Sequence, residues 1–219
     1  MPVLLVTGFG PFRNVTRNPS GVAAQTVHGR EIDGTQIIGT ELVVSWQSAW
    51  ETTLRLVEEH QPQVLLCLGV ANWPNIELEQ VARNVIGPEA DVEGVVLQSG
   101  AEVVPGGRAT LSSALPLDWL KKRIAERALA QAVFRNGTSI VSQFSDNAGD
   151  YLCNFLFYNV MHHLEGRVPH RGFIHVPPYD ESGENEAEVD EVLIYLVEEL
   201  AHWLVQNAES ASGEHSWSI

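Results

Sequence analysis

The 219-residue sequence predicts an α/β fold of three layers, α/β/α, with a mostly parallel central sheet and helices on both faces. Three observations carry that expectation. Continuous apolar runs at Val3–Val6, Val64–Val70 and Gly172–Val176 read as strands buried on both faces, as strands of parallel sheets are. Segments whose apolar residues recur at helical spacing alternate with these runs along the chain. A hydrophobic fraction of 44% against 19% charged residues is that of a globular chain able to bury a sizeable core.

The elements follow in order. Val3–Val6 leads into Thr7 and Gly8, and after a loop from Gly10 to Arg17, Asn18 can cap a helix that has Pro19 at its first position and runs to about His28. Gln36–Val44 is β-branched enough for a strand, and Ser45–His60 reads as a helix stopped by Pro62. After the Val64–Val70 strand, Ile76, Leu78 and then Val81 alternate with polar residues, so Ile76–Ile86 reads as a strand with an irregularity at Gln80. Glycines and prolines from Gly87 to Arg108 indicate a long loop with room for a hairpin. Leu117–Ala132 reads as a helix, Ser139–Phe144 as a strand, Tyr151–Leu164 as a helix, Gly172–Val176 as a strand and Glu186–Asn207 as the last helix. No linker or internal repeat divides the chain, so residues 1–207 are expected to form a single domain. Residues 208–219, rich in Ser and Glu, are expected to be a disordered C-terminal tail. In such folds ligands bind at the carboxyl ends of the strands.

Composition removes several classes of function. A formal charge of -15 repels phosphate backbones and anionic lipid, which argues against nucleic-acid and membrane partners. The first strand begins almost at Met1, with no basic segment ahead of an apolar run, and two cysteines are too few for a disulfide framework, so a cytoplasmic location is expected. Gly8-Phe9-Gly10 resembles the start of a dinucleotide loop, but the third glycine of that pattern would fall at Arg13 and Pro11 interrupts the turn. His162, His163, His170 and His175 show no metal-ligand spacing, and no metal or cofactor is expected.

Cys153 is the residue with the clearest chemical promise. Ser145, Asp146 and Asn147 are helix-capping residue types, and Leu152, Phe155, Leu156, Val160, Met161 and Leu164 form a helical apolar face. Cys153 therefore falls in the first turn or two, where free amides and the helix dipole favour a thiolate. An inert, buried core thiol is the alternative on this segment alone. His175 closes the next apolar strand, at the edge where ligands bind, and could exchange a proton with the thiol; a structural, hydrogen-bonded histidine is the alternative. A carboxylate usually orients such an imidazole, and Glu77 and Glu79 both qualify, on one face of an extended segment.

Taken together, Val6-Thr7-Gly8-Phe9 with Pro11-Phe12, Asn18-Pro19-Ser20, Ala148-Gly149 with Cys153-Asn154, and Gly172-Phe173-Ile174-His175-Val176-Pro177 resemble the pyroglutamyl peptidase type I family, also called pyrrolidone-carboxylate peptidases. Gly106-Gly107 and Leu115-Pro116 resemble its middle, so the likeness spans nearly the whole chain and outweighs the inert reading of Cys153. The resemblance implies a cytoplasmic, cofactor-free cysteine exopeptidase that removes an N-terminal pyroglutamyl residue from small peptides and forms a homo-oligomer, dimer or tetramer. It places Cys153 as nucleophile and His175 as base. Ile76, Glu79, Val81, Ala82 and Asn84 match the family's glutamate motif, which favours Glu79 over Glu77. Phe9, Phe12 and Tyr151 resemble aromatic positions lining the lactam pocket, with Asn18 and position 70 also on the substrate side.

The sequence departs from the family beside that pocket. The family reads Gly-Gln-Ala-Gly-Gly-Arg after its central strand, whereas this chain reads Gly69-Val70-Ala71-Asn72-Trp73-Pro74 and is one residue shorter before Ile76. Its Arg-Ile-Pro-Asp-Asn segment is also absent from Ile86–Gly94. A related amidase or peptidase acting on another small acyl group, and a catalytically weak binding protein on the same fold, are the rival expectations.

Overall fold

The computed structural model describes residues 1–135 and 140–212. A seven-stranded sheet forms its centre, in the order β2-β3-β1-β4-β9-β5-β8. These strands are β1 (Val3–Phe9), β2 (Glu31–Ile32), β3 (Thr35–Leu42), β4 (Val64–Val70), β5 (Ile76–Glu79), β8 (Ser142–Ser145) and β9 (His170–Val176). A separate two-stranded sheet pairs β6 (Val81–Arg83) with β7 (Thr110–Ser112). The helices are α1 (Pro19–Val27), α2 (Trp46–His60), α3 (Leu117–Arg135), α4 (Leu152–His163) and α5 (Glu186–Ser212). Of the disordered tail expected over residues 208–219, residues 208–212 continue α5 and the rest lies outside the described residues, as does the start of the Ser139–Phe144 segment.

Strand alternation sorts the core into two halves. Leu4, Val6, Leu66, Leu68 and Ile174 face α1, α3 and α5, whereas Leu5, Leu65, Cys67 and Phe173 face α2 and α4. Three layers result, with the parallel strands β1, β4 and β9 buried on both sides, as their unbroken apolar runs predict, and β3 beside them exposed at Gln36 and Glu41. The Asn18-Pro19 signal also has the expected geometry. Asn18 Oδ1 accepts from Ser20 N–H at 3.1 Å, and its amide nitrogen donates to Gly10 O at 3.0 Å, so one buried side chain starts α1 and fastens the preceding loop. Gly8 permits this helix start to lie against β1, because a Cβ there would stand 1.9 Å from Ser20 O.

Three local features differ from the sequence reading. Ile76–Ile86 is two strands in two sheets: Gln80 N–H bonds Ser145 O at 2.6 Å, and the chain then leaves the central sheet for β6. Strand β5 runs antiparallel to β9 and parallel to β8, and β2 runs antiparallel to β3, so three strands of the sheet oppose the main direction. Strand β2 is a two-residue hairpin extension of β3, turning at Asp33 (φ 49°) and Gly34 (φ 76°). That Asp-Gly pair is a known hairpin-turn signal.

Candidate active site

The carboxyl edge of β1, β4 and β9 meets the N-terminus of α4, and the candidate residues converge there. Cys153 is the second residue of α4, nearer its start than the capping residues Ser145–Asn147 implied. Those residues fold the preceding loop instead. Asn147 N–H bonds Ser145 Oγ at 3.3 Å, Gly149 N–H bonds Asn147 Oδ1 at 3.2 Å, and Gly149 takes a left-handed φ of 78°. Tyr151 occupies the cap position without a side-chain cap bond, and the first intrahelical bond runs from Phe155 N–H to Tyr151 O at 3.0 Å. The amides of Leu152, Cys153 and Asn154 thus precede the helical ladder and lie at the positive end of the dipole.

His175 is buried in β9, and its Nδ1 lies 2.7 Å from Glu79 Oε1. The antiparallel ladder sets Glu77, not Glu79, directly opposite His175. Glu79 therefore reaches the ring from one step deeper in the sheet, with no exposed surface and with its second oxygen, Oε2, unpartnered. Glu77 is half-buried and accepts from Gln143 Nε2 at 3.1 Å. Burial works against a charge on the His175 imidazole, but the adjoining Cys153 sulfur and then Glu79 outweigh it and hold the ring's pKa up at about 10. With Nδ1 engaged by the carboxylate, Nε2 is the nitrogen left for the sulfur. The other cysteine has the opposite environment: Cys67 is fully buried in β4, and burial pushes its thiol up to about 12.

Among the described residues, Glu77, Glu79 and His175 are also the one group of three potential metal ligands, with donor atoms within 4.8 Å of one another. The direct Nδ1–Oε1 bond makes them an imidazole–carboxylate pair with a second carboxylate beside it.

All five residues expected on the substrate side line one small apolar pocket that ends on the sulfur: Phe9, Phe12, Asn18, Val70 and Tyr151 surround it together with Val44, Leu152 and Cys153. Its volume is about 20 Å³, room for about one water molecule. Tyr151 is clamped by its hydroxyl bond to Ala90 O at 2.9 Å, by an edge contact with Trp46 at 5.3 Å, and by Arg13, whose guanidinium lies 5.0 Å from the ring centroid.

Sequence reasoning passed over two supporting residues. Gly69 has no room for a side chain, because a Cβ would lie 2.8 Å from Cys153 Sγ and 2.7 Å from Phe173 Cζ. A glycine inside a strand run is itself a sign of close approach. Asn154, fully buried, accepts from Arg83 N–H at 2.9 Å and donates to Arg83 O at 2.8 Å and Val85 O at 3.1 Å, pinning the first turn of α4 to β6.

Comparison with known proteins agrees with this geometry. A family model described as pyroglutamyl peptidase matches residues 2–190. The chain is 33% identical over 202 residues to a pyrrolidone-carboxylate peptidase of Vibrio vulnificus (strain YJ016), covering 90% of each. It is 31% identical over 177 residues to the pyrrolidone-carboxylate peptidase of Bacillus subtilis (strain 168), covering 80% of this chain and 77% of that one. A mutant pyrrolidone carboxyl peptidase from the hyperthermophile Pyrococcus furiosus superposes with a TM-score of 0.81 at 28% identity, over 94% of this chain and 99% of that one.

Proposed function

Because the chain belongs to the pyroglutamyl peptidase family, it is a cysteine peptidase that hydrolyses the amide bond after an N-terminal pyroglutamyl residue, and we propose that Cys153, His175 and Glu79 carry the reaction. The observation behind the assignment is the 2.7 Å bond that fixes His175 by Nδ1 and leaves Nε2 to the sulfur. The thiolate of Cys153 attacks the pyroglutamyl carbonyl, and the first-turn amides of α4 take up the charge on the carbonyl oxygen. His175 delivers its proton to the departing amine as the C–N bond breaks, leaving a thioester on Cys153. Water then attacks the thioester with His175 as base, releasing pyroglutamate and the thiol. Glu79 holds the ring and offsets its positive charge throughout. No step calls for a cofactor.

The substrate pocket supports a cyclised first residue. Phe9, Phe12, Val44 and Tyr151 offer apolar surface, and a pyroglutamyl group has no ammonium to desolvate. Hydrolysis of a chromogenic pyroglutamyl amide tests the assignment. Absence of turnover with a readily alkylated Cys153 would direct the search to another small acyl group, a reading that Val70 favours because it supplies no amide to the lactam. Val70→Gln is therefore expected to lower KM with little change in kcat. One neutral hydrogen bond contributes about 0.5 to 1.5 kcal/mol, which is about 2- to 12-fold. An unchanged KM in that variant, with a sharp rise in Trp73→Ala, would show a pocket walled by the indole instead.

The same reading proposes a single peptidase domain over residues 1–207, a cytoplasmic location and a homo-oligomer, dimer or tetramer. Both cysteines are free, and no helix among the described residues is long and apolar enough to cross a membrane. Val43, Val92, Val95 and Val96 are exposed on segments joined by the Val92 N–H to Val44 O bond, an apolar surface suited to a second copy.

A further inference from the structure

The small pocket beside Cys153 is too small to take the peptide that follows the first residue of a substrate, so that part must lie elsewhere along the same edge. A second, larger cavity of about 480 Å³ opens there. One wall is the loop after β1, from Asn14 to Arg17 with Pro19, and the other is the loop after β9, from Pro178 to Gly183 with Glu186. Both walls continue directly from the reaction centre. Phe12 and Asn18 of the first loop line the lactam side, and Pro178 follows closely on His175, the group that hands a proton to the departing amine. Its volume lies within the range of ordinary ligand sites.

The two loops are held in place by their own side chains. Arg17 pairs with Glu186 and, at 3.8 Å, with Asp190, and lies 4.7 Å from the centroid of the Tyr179 ring. Tyr179 donates to Asp190, Asp180 N–H bonds Asn185 Oδ1 at 2.9 Å, and Asn185 donates to Pro178 O at 3.0 Å. Arg17, the only cationic side chain lining the cavity among the described residues, is thus already committed to carboxylates. Asp180 and Glu181 stand exposed on the opposite wall, in a chain of net charge -15. The balance at the cavity is negative.

We propose that this cavity is the groove for the peptide downstream of the scissile bond, and that Asp180 and Glu181 make it select substrates with a basic residue shortly after the pyroglutamyl group. The inference rests on the pyroglutamyl peptidase reading. It assigns to the loop after β9 a role in binding the part of the substrate that leaves, separate from the lactam pocket.

The test compares pyroglutamyl-alanyl-lysine amide with pyroglutamyl-alanyl-glutamate amide, alongside pyroglutamyl aminomethylcoumarin, which has no downstream peptide. The lysine peptide is expected to exceed the glutamate peptide in kcat/KM by roughly fivefold, the scale of one or two exposed ion pairs. About 0.5 M salt should bring the ratio towards one. Glu181→Lys should invert it. A wild-type ratio near one at low salt, or a ratio that Glu181→Lys leaves unchanged, would overturn the groove assignment while coumarin turnover stands. Loss of coumarin turnover in the wild-type protein would instead remove the parent reading, and the groove with it.

Discussion

Cys153→Ala is expected to lower hydrolysis of pyroglutamyl amides by about 10⁴-fold or more, the scale seen when a peptidase loses its nucleophile, with the fold retained. The side chain is only half-buried at the second position of α4, and alanine is the best helix former, so truncation removes reactivity rather than packing. Cys67 serves as the internal control. Its thiol is fully buried and pushed up to about 12, so at neutral pH it is neither exposed nor ionised. Iodoacetamide followed by peptide mass mapping should therefore label Cys153 first. Comparable activity in the wild-type and Cys153→Ala proteins would end the assignment, and preferential labelling of Cys67 would contradict the environments described for the two thiols.

Glu79→Gln is the second large effect, with an expected loss of about 10³-fold against little change for Glu77→Gln. The amide is close in shape to the carboxylate but uncharged, and it can turn its NH₂ towards Nδ1 and impose the wrong tautomer. It also removes one of the influences that hold the His175 imidazole up at about 10 against the effect of burial. The sign follows directly. A ring with less support loses its proton at lower pH, so the alkaline fall in kcat/KM should move to lower pH in Glu79→Gln. Glu77→Gln leaves the Nδ1–Oε1 bond intact and should keep the wild-type profile. Equal losses in the two variants, or a larger loss in Glu77→Gln, would overturn the assignment of the orienting role to Glu79.

The difficulty of choosing between those carboxylates shows what the sequence can convey. Both glutamates fall on one face of an extended segment, and periodicity treats them alike. What separates them is the antiparallel ladder with β9, which brings Glu79 under the ring at full burial and leaves Glu77 near the edge. Strand direction leaves no local mark, because alternation looks the same either way along a sheet. Only the family motif around Glu79 favoured the residue that the geometry pairs with His175. By contrast, β1, β4 and β9 were legible because strands buried on both faces carry unbroken apolar runs. The helix read over Tyr151–Leu164 matches α4, but Ser145 and Asn147 do not cap it: they satisfy the backbone of the preceding loop instead. Pocket residues were found by resemblance rather than by pattern, since an aromatic lining a cleft and one filling a core have the same local signature.

The insertion of β9 between β4 and β5 has a bearing on how the protein reaches its active form. Strands β4 and β5 are neighbours in the chain, yet neither pairs with the other, and each leaves an open edge until β9 arrives. That strand closes contacts over a long span, 96 residues between His175 and Glu79, which is slow to form and comes late in synthesis. A nascent or refolding chain without β9 would carry two sticky central edges and Cys153 with no base beside it. Hydrolytic competence is therefore acquired when the last strand docks, so an unfinished molecule cannot cut peptides, and regain of activity during refolding times the closing of the sheet.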